Sequence, residues 1–306
     1  MTTLRPAPPG PVTFGPITFV PGRQGGRYPF CHSLVVTQGD ETWVVDPAAD
    51  KDYFRELART RRVTGVFLSH FHEDHQKYNG LFPEARFYGP ILEEEAFTSI
   101  DAILRFMGVT DPEFREYWRR TLLQDFHFGP LTNFIPYFPG HLFQLGDVIL
   151  EIIPAPGHSP GHSCFHFPHQ QLLFLADVDL SPFGPWYGDA ASDLEAFDAT
   201  LHDLKSFRAQ TYLTAHEQGI FTAAEFQTGL AAFHQVLAQR EARVLEALDT
   251  PQTLAQLVAR RLIYGKPREP RFVYDHMETQ MVSKHLDRLW QRGQITRTPA
   301  GFQRVG

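Results

Sequence analysis

One short stretch of this chain, His70-Phe71-His72-Glu73-Asp74-His75, offers three imidazoles and a carboxylate at ligand spacing. Imidazole nitrogen and carboxylate oxygen are donors that zinc prefers and that manganese and iron(II) also accept, so the stretch is a candidate metal site. Donors of the same kind follow short apolar runs elsewhere: His158 after Ile152-Ile153, Asp177 after Leu173-Phe174-Leu175, and His216 after Tyr212-Leu213-Thr214. His70, His72, Asp74, His75, His158, Asp177 and His216 together suffice for two divalent ions, with zinc expected and manganese or iron(II) as the alternatives. Two such ions about 3.5–4 Å apart bind one water, lower its pKa and leave a hydroxide ready to attack, so no protein nucleophile is needed. Asp74 is the candidate catalytic residue, moving the proton.

The elements that must hold these donors alternate between strand and helix patterns, which predicts an α/β fold. Val35–Val45, with Gly39-Asp40 in its middle, has the pattern of a hairpin that ends at Asp46. Val63–Ser69 is a buried-type strand leading directly into the histidine stretch. Strands are expected at 148–153, 163–167, 172–175 and 212–214, and helices at 53–61, 193–207 and 223–248. Between them, residues 92–145 carry a helical pattern and many aromatic rings, and are expected to be an insertion packed over the site. Glu73 is expected to face solvent, and His127, His141, His166 and His169 have no partner at ligand spacing. Trp186 and Tyr187, in the rigid Ser181–Asp189 segment after Asp177, are candidates for substrate contact. His32 is expected either to line the pocket or to be a buried, hydrogen-bonded histidine.

The pattern His-x-His-x-Asp-His followed by a distant His, Asp and His resembles that of the metallo-β-lactamase superfamily over roughly residues 12–240. The resemblance implies an αββα four-layer sandwich with the metals at one edge. It also implies that His70, His72 and His158 hold one metal, that Asp74, His75 and His216 hold the other, and that Asp177 bridges them. Asp46 matches the aspartate that orients the ligand loop from behind, and His162 is expected beside it in that outer layer. Pro156-Gly157-His158-Ser159-Pro160-Gly161-His162-Ser163 is similar to the form found in glyoxalase II and related hydrolases. That likeness implies a small-molecule ester or thioester as substrate. Two alternatives stay open: phosphodiester cleavage of single-stranded RNA, and a non-catalytic nucleic-acid-binding regulator.

Both alternatives draw on the basic tail. Residues 251–306 hold ten Lys/Arg against four Asp/Glu, although the whole chain carries −7. Helices followed by two short strands resemble the small C-terminal winged-helix domain of an endoribonuclease-like branch of the superfamily, giving domains 1–244 and 245–306. On the expected helix Glu278–Arg292, Val282, Leu286 and Leu289 should pack inward, leaving Gln280, Lys284, Arg288 and Gln291 exposed, a face that could meet phosphates. Charged residues make up 21% of the chain and hydrophobic ones 42%, ordinary for a globular protein. With no apolar run long enough to span a bilayer and no signal-peptide core near the start, a cytoplasmic protein without a membrane partner is expected. Cys31 and Cys164 are expected to be buried reduced thiols.

Overall fold

The computed structural model describes residues 5–305. Seven strands, β1 (Val12–Phe14), β2 (Ile17–Val20), β3 (Ser33–Gln38), β4 (Glu41–Val45), β5 (Arg62–Phe67), β6 (Arg86–Pro90) and β7 (Phe134–Tyr137), lie side by side in chain order in one sheet. Six more, β8 (Leu142–Leu145), β9 (Val148–Pro154), β10 (Ser163–Phe167), β11 (Leu172–Phe174), β12 (Thr211–Leu213) and β13 (Ile220–Thr222), form a second sheet, also in chain order. Both sheets are mixed: β4 to β7 and the β11–β12 pair run parallel, the rest antiparallel.

Strand periodicity explains the layering. Along β3 and β4, Leu34, Val36, Trp43 and Val45 point between the sheets, while Val35 and Val44 point to the outer face. Both faces are apolar because both are covered. Between the sheets, Phe19, Phe67, Phe165, Phe167 and Phe174 fill the core. Over the first sheet lie α2 (Lys51–Thr60), α4 (Glu94–Thr98), α5 (Ile100–Met107) and α6 (Pro112–Gln124), which add Phe54, Phe97, Leu104 and Trp118. The second sheet is covered by α7 (Leu194–Leu204), α8 (Ala223–Glu246) and α10 (Arg271–Gln291), preceded by the short α9 (Leu254–Ala259). A kinked turn, α1 (Arg23–Gly26), and a single turn, α3 (Glu73–Gln76), sit at the edge where the site forms. Asp50 caps α2, Asp193 caps α7, and Thr222 with Glu225 forms a capping box on α8.

The expected insertion at 92–145 needs correcting. Its last part is sheet: Phe134–Tyr137 is the edge strand of the first sheet and Leu142–Leu145 that of the second. Pro136 obscures the strand pattern and is tolerated because β7 is an edge. Many of the aromatics are core, with Phe97 stacked on Phe134 at 5.0 Å and Trp118 and Phe126 buried. At the other end, β14 (Ile295–Thr298) and β15 (Gly301–Arg304) form the expected hairpin. Residues 244 and 245 lie within continuous α8, and Leu257, Ile263, Met281, Val282, Leu286 and Leu289 share one core with Phe226, Phe233 and Leu237.

The charged face expected on the last helix is also different. Arg288 is buried, paired with Glu195 at 2.6 Å and with Asp198, and Lys284 Nζ donates to the Asp189 carbonyl at 2.6 Å. Those charges meet α7 and the site loop rather than solvent. No helix among the described residues is long and apolar enough to cross a membrane. Cys31 and Cys164 are buried and free.

Candidate metal centre

Every expected ligand lies just beyond the C-terminal end of a strand, at one edge of the sandwich. His70, His72, Asp74 and His75 follow β5, His158 follows β9, Asp177 follows β11 and His216 follows β12. The turns that bring them there are tight. Gly157 has φ +125, and a Cβ there would lie 2.3 Å from the Phe197 backbone, so only glycine fits before His158. Asp46, Ala176 and Glu217 adopt left-handed backbone at φ +48, +46 and +62. Each such non-glycine residue costs about 1–2 kcal/mol, spent at or beside the site.

The donors fall into two groups, His70, His72, His158 and Asp177, and Asp74, His75 and His216, with the donor atoms of each group within 4.8 Å of one another. Asp177 joins them. Its Oδ2 lies 3.2 Å from His158 Nε2, while its Oδ1 lies 2.9 Å from His75 Nε2 and 3.4 Å from His216 Nε2. One carboxylate thus turns an oxygen toward each group, the geometry of a bridging ligand.

Whether cations fit is decided by the imidazoles' other nitrogens. His158 Nδ1 donates to the Trp186 carbonyl at 2.9 Å, His216 Nδ1 to the Gly26 carbonyl, His75 Nδ1 to Asp46 at 2.9 Å and His72 Nε2 to Asp189 at 2.7 Å. Ser69 Oγ donates to Asp46, so it accepts from His70 Nδ1 at 2.9 Å. Each outward nitrogen therefore keeps its proton, which leaves each inward nitrogen as the atom that would offer a lone pair to a metal. Three of these, on His70, His72 and His158, converge at 2.9–3.2 Å. Nitrogens at that spacing repel unless a proton or a metal cation lies among them, and a divalent ion engages all three at once. Two further inward atoms, His75 Nε2 and Asp177 Oδ1, are buried without a hydrogen-bond partner. The donor set fits two divalent ions.

In the metal-free chain, burial holds the His70 and His158 imidazoles well below their ordinary range. Burial also pulls down on His72 and His216, but Asp189 beside the first and Asp177 beside the second outweigh it and raise both to about 9. Loss of solvent pushes the other way at Asp177, yet the surrounding histidines hold its carboxyl well below the usual range. The carboxylates thus keep extra protons that ligation must displace.

Asp46 stands behind the ligand loop as expected: Oδ1 accepts from the Ser69 N–H at 2.8 Å and Oδ2 from Ser69 Oγ and His75. His162 is not a donor to the centre. Its Nδ1 donates to the Ala155 carbonyl and its Nε2 accepts the Asp177 N–H, fixing the backbone of the bridging residue. His32 is buried, accepting from Gly22 N and donating to the Glu217 carbonyl. Glu73 is buried rather than solvent-facing, because Tyr28 Oη donates to it at 2.9 Å and it sits against the cavity wall. Asp189, which orients His72, was not singled out from the sequence; its only signal was its place at the end of the Ser181–Asp189 segment.

Trp186 lines the cavity, its ring 5.5 Å from those of both His72 and His158. Tyr187 does not. It is fully buried on the other side of the loop, hydrogen-bonded to His285 Nε2 at 2.8 Å and to Arg240 Nη1 at 3.2 Å. Replacing Tyr187 by phenylalanine is therefore expected to leave kcat and KM within twofold while lowering unfolding free energy by about 1–3 kcal/mol, the cost of buried partners left unsatisfied. Paired kinetics and urea unfolding check this; a kinetic defect without a stability loss would place the hydroxyl in the reaction.

Glu93 braces the His158 loop from below, accepting the Gly161 N–H at 2.7 Å. Burial raises its carboxyl to about 7 from an unfolded value of 4.5. The folded protein therefore keeps this proton over a range where the unfolded chain loses it. The resulting stability is complete below pH 4.5 and is lost as pH rises through 7, by on the order of 3 kcal/mol. Glu93→Gln is expected to remove that part of the pH dependence in urea unfolding at pH 5 and pH 8. Parallel pH profiles for the two proteins would show that Glu93 is ionised in the fold.

A cavity of about 530 Å³ opens beside the cluster. Its floor carries His72, Asp74, His158, Asp177 and His216, one wall comes from α5 and α6, and the other from residues 264–277.

Residues 27–216 match the model of the metallo-β-lactamase superfamily. Among curated proteins, a hydroxyacylglutathione hydrolase of Rhizobium etli is 30% identical over 127 residues, 40% of this chain and 37% of that protein. An atrochrysone carboxyl ACP thioesterase of Pseudocercospora fijiensis is 25% identical over 236 residues, 74% of this chain and 59% of that one. This chain thus spans less than two thirds of either relative. In fold, the structure is similar to a metallo-β-lactamase family protein of Thermus thermophilus, with a TM-score of 0.71 at 21% identity over 95% of this chain and 99% of that one. A β-lactamase domain protein of Burkholderia ambifaria gives 0.66 at 17% identity, over 95% and 93%. With the matched span covering more than half of the chain and the full His/Asp donor set assembled at the sandwich edge, this protein belongs to the metallo-β-lactamase superfamily.

Proposed function

We propose that this protein is a metal-dependent hydrolase that cleaves an ester or thioester with an apolar acyl group, a thioester foremost, using two zinc ions. The observation that carries this reading is the cavity: Met107, Val109, Phe114 and Trp118 on one side and Val273 and Met277 on the other make walls suited to a hydrocarbon group, with the donor cluster at their foot. The thioester-cleaving names of the Rhizobium and Pseudocercospora relatives support it. Manganese or iron(II) would satisfy the same donors.

When bound, the metals would supply a lowered water pKa and a Lewis acid for the carbonyl oxygen. The chain supplies the rest. Asp177 sets the spacing of the two groups, and Asp74, which lines the cavity 3.6 Å from His216 Nε2, is placed to take the proton of the attacking water and pass it to the leaving sulfur. Trp186 and the aromatic walls exclude bulk water from the carbonyl. Residues 264–277 of the C-terminal region, read as part of a winged-helix-like module, serve here as one wall of the substrate site.

The test is turnover of a hexanoyl thioester, a lactone, bis(p-nitrophenyl) phosphate and a single-stranded RNA by metal-loaded protein, with and without chelator. Chelator-sensitive cleavage of the thioester above the others is expected. RNA or phosphodiester turnover without acyl turnover would replace this reading with the phosphoryl one.

A further inference from the structure

Among the described residues, the cavity lining holds one arginine without a carboxylate partner. Arg27, exposed in the cavity lining, pairs with Glu217 at 3.3 Å. Arg268, also exposed in the lining, forms no ion pair among the described residues. The nearby acids are engaged elsewhere, Asp275 by Arg261 and Arg271, and Glu269 by the Arg271 N–H. Arg268 is nevertheless held in place. Its guanidinium carbon lies 5.3 Å from the Tyr264 ring and 5.8 Å from the Tyr274 ring, which meet each other edge-on at 5.3 Å. Tyr264 is pinned in turn, accepting from Trp186 Nε1 at 3.0 Å. A continuous run of side chains therefore joins the metal centre to a preset, exposed guanidinium.

The floor of the cavity carries Asp74, Asp177, Asp179 and Asp189. Charge is thus divided along the cavity, with carboxylates and the metal donors at the foot, apolar walls, and a free planar cation in the exposed part of the lining. Guanidinium forks match carboxylate and phosphate groups, and a stacked one loses little freedom on binding them. We propose that Arg268, set over Tyr264 and Tyr274, recognises an anionic group, carboxylate or phosphate, that the substrate carries at a distance from the cleaved bond. The substrates are then amphipathic acyl compounds, apolar in the middle and anionic at one end. This deepens the acyl reading given above and rests on it.

The experiment compares wild type, Arg268→Gln and Arg268→Lys on three thioesters: neutral hexanoyl-N-acetylcysteamine, its ω-carboxylated counterpart, and hexanoyl-coenzyme A. The second bears the anion on the acyl side and the third bears phosphates on the thiol side, so the pair also locates the anion. The readout is the ratio of kcat/KM for each charged substrate to that for the neutral one. Arg268→Gln is expected to lower the ratio at least tenfold for one charged substrate, through KM, with Arg268→Lys in between and the ratio shrinking as salt rises. Ratios within twofold of wild type for both charged substrates would overturn the proposal. Calorimetric binding of the three non-hydrolysable thioether analogues keeps the two readings apart. Arg268-dependent binding of a charged analogue without thioester hydrolysis upholds the subsite and rejects the acyl chemistry. Charged analogues that bind no tighter than the neutral one reject the subsite, whatever the protein hydrolyses.

Discussion

Replacing Asp177 by alanine is expected to weaken both halves of the metal centre together. The Oδ2 atom faces the His70, His72 and His158 group, Oδ1 faces His75 and His216, and the carboxylate is the one anionic atom pair shared between the two. Removing it takes a donor from each site and leaves five converging imidazoles without the charge that balances two cations. The loss should exceed the roughly 10–100-fold penalty typical when only an outer partner of a ligand is removed. Metal analysis should find clearly fewer than two ions per chain after desalting, and chelator-sensitive hydrolysis should fall by more than about 100-fold. The His162 contact to the Asp177 N–H survives the change, so the β11 turn has no reason to collapse. A variant with ordinary metal content and rate would show that Asp177 does not bridge.

Asp189→Ala is expected to have the next largest effect, and it acts through another residue. The Asp189 carboxylate accepts the Nε2–H of His72 at 2.7 Å, which fixes that ring with Nδ1 turned inward. Without it, His72 is free to rotate or to carry its proton on the wrong nitrogen, and metal affinity should drop by about 10–100-fold. Asp189→Asn keeps an acceptor oxygen and should lose less. Competition titration against a chelator measures both directly, and equal affinity in all three proteins would refute the positioning role. Because Lys284 of α10 donates to the Asp189 carbonyl, the C-terminal helix takes part in holding this carboxylate in place.

The seven donors were legible because a metal site needs particular atoms at particular places, and strand ends after apolar runs are where a sandwich presents them. Asp46 was legible for the same reason, at the end of a hairpin. The fold's edges were less so. β1, β2 and β13 span only three or four residues, β6 ends in Gly89-Pro90 and β7 carries a proline, so each has too few alternating residues for a period to emerge. The outer layer was harder still. Asp189 is 117 residues from the histidine it orients, and Tyr28 is 45 residues from Glu73, so neither pair leaves a local pattern. Glu73 looked like a solvated carboxylate between ligands because its partner is remote. The direction of α10 is a further case: Lys284 and Arg288 have the spacing of an exposed basic face, and only the presence of Glu195, Asp198 and the Asp189 carbonyl opposite turns that face inward.

The most direct test of the whole account is the metal content of protein purified without added metal and then reconstituted with zinc, read beside its hydrolytic activity. About two ions per chain, removed by chelator together with activity and restored with it, is the predicted result. A protein that takes up no metal on reconstitution would contradict the account, since the five inward-facing imidazoles and Asp177 would then converge on no cation.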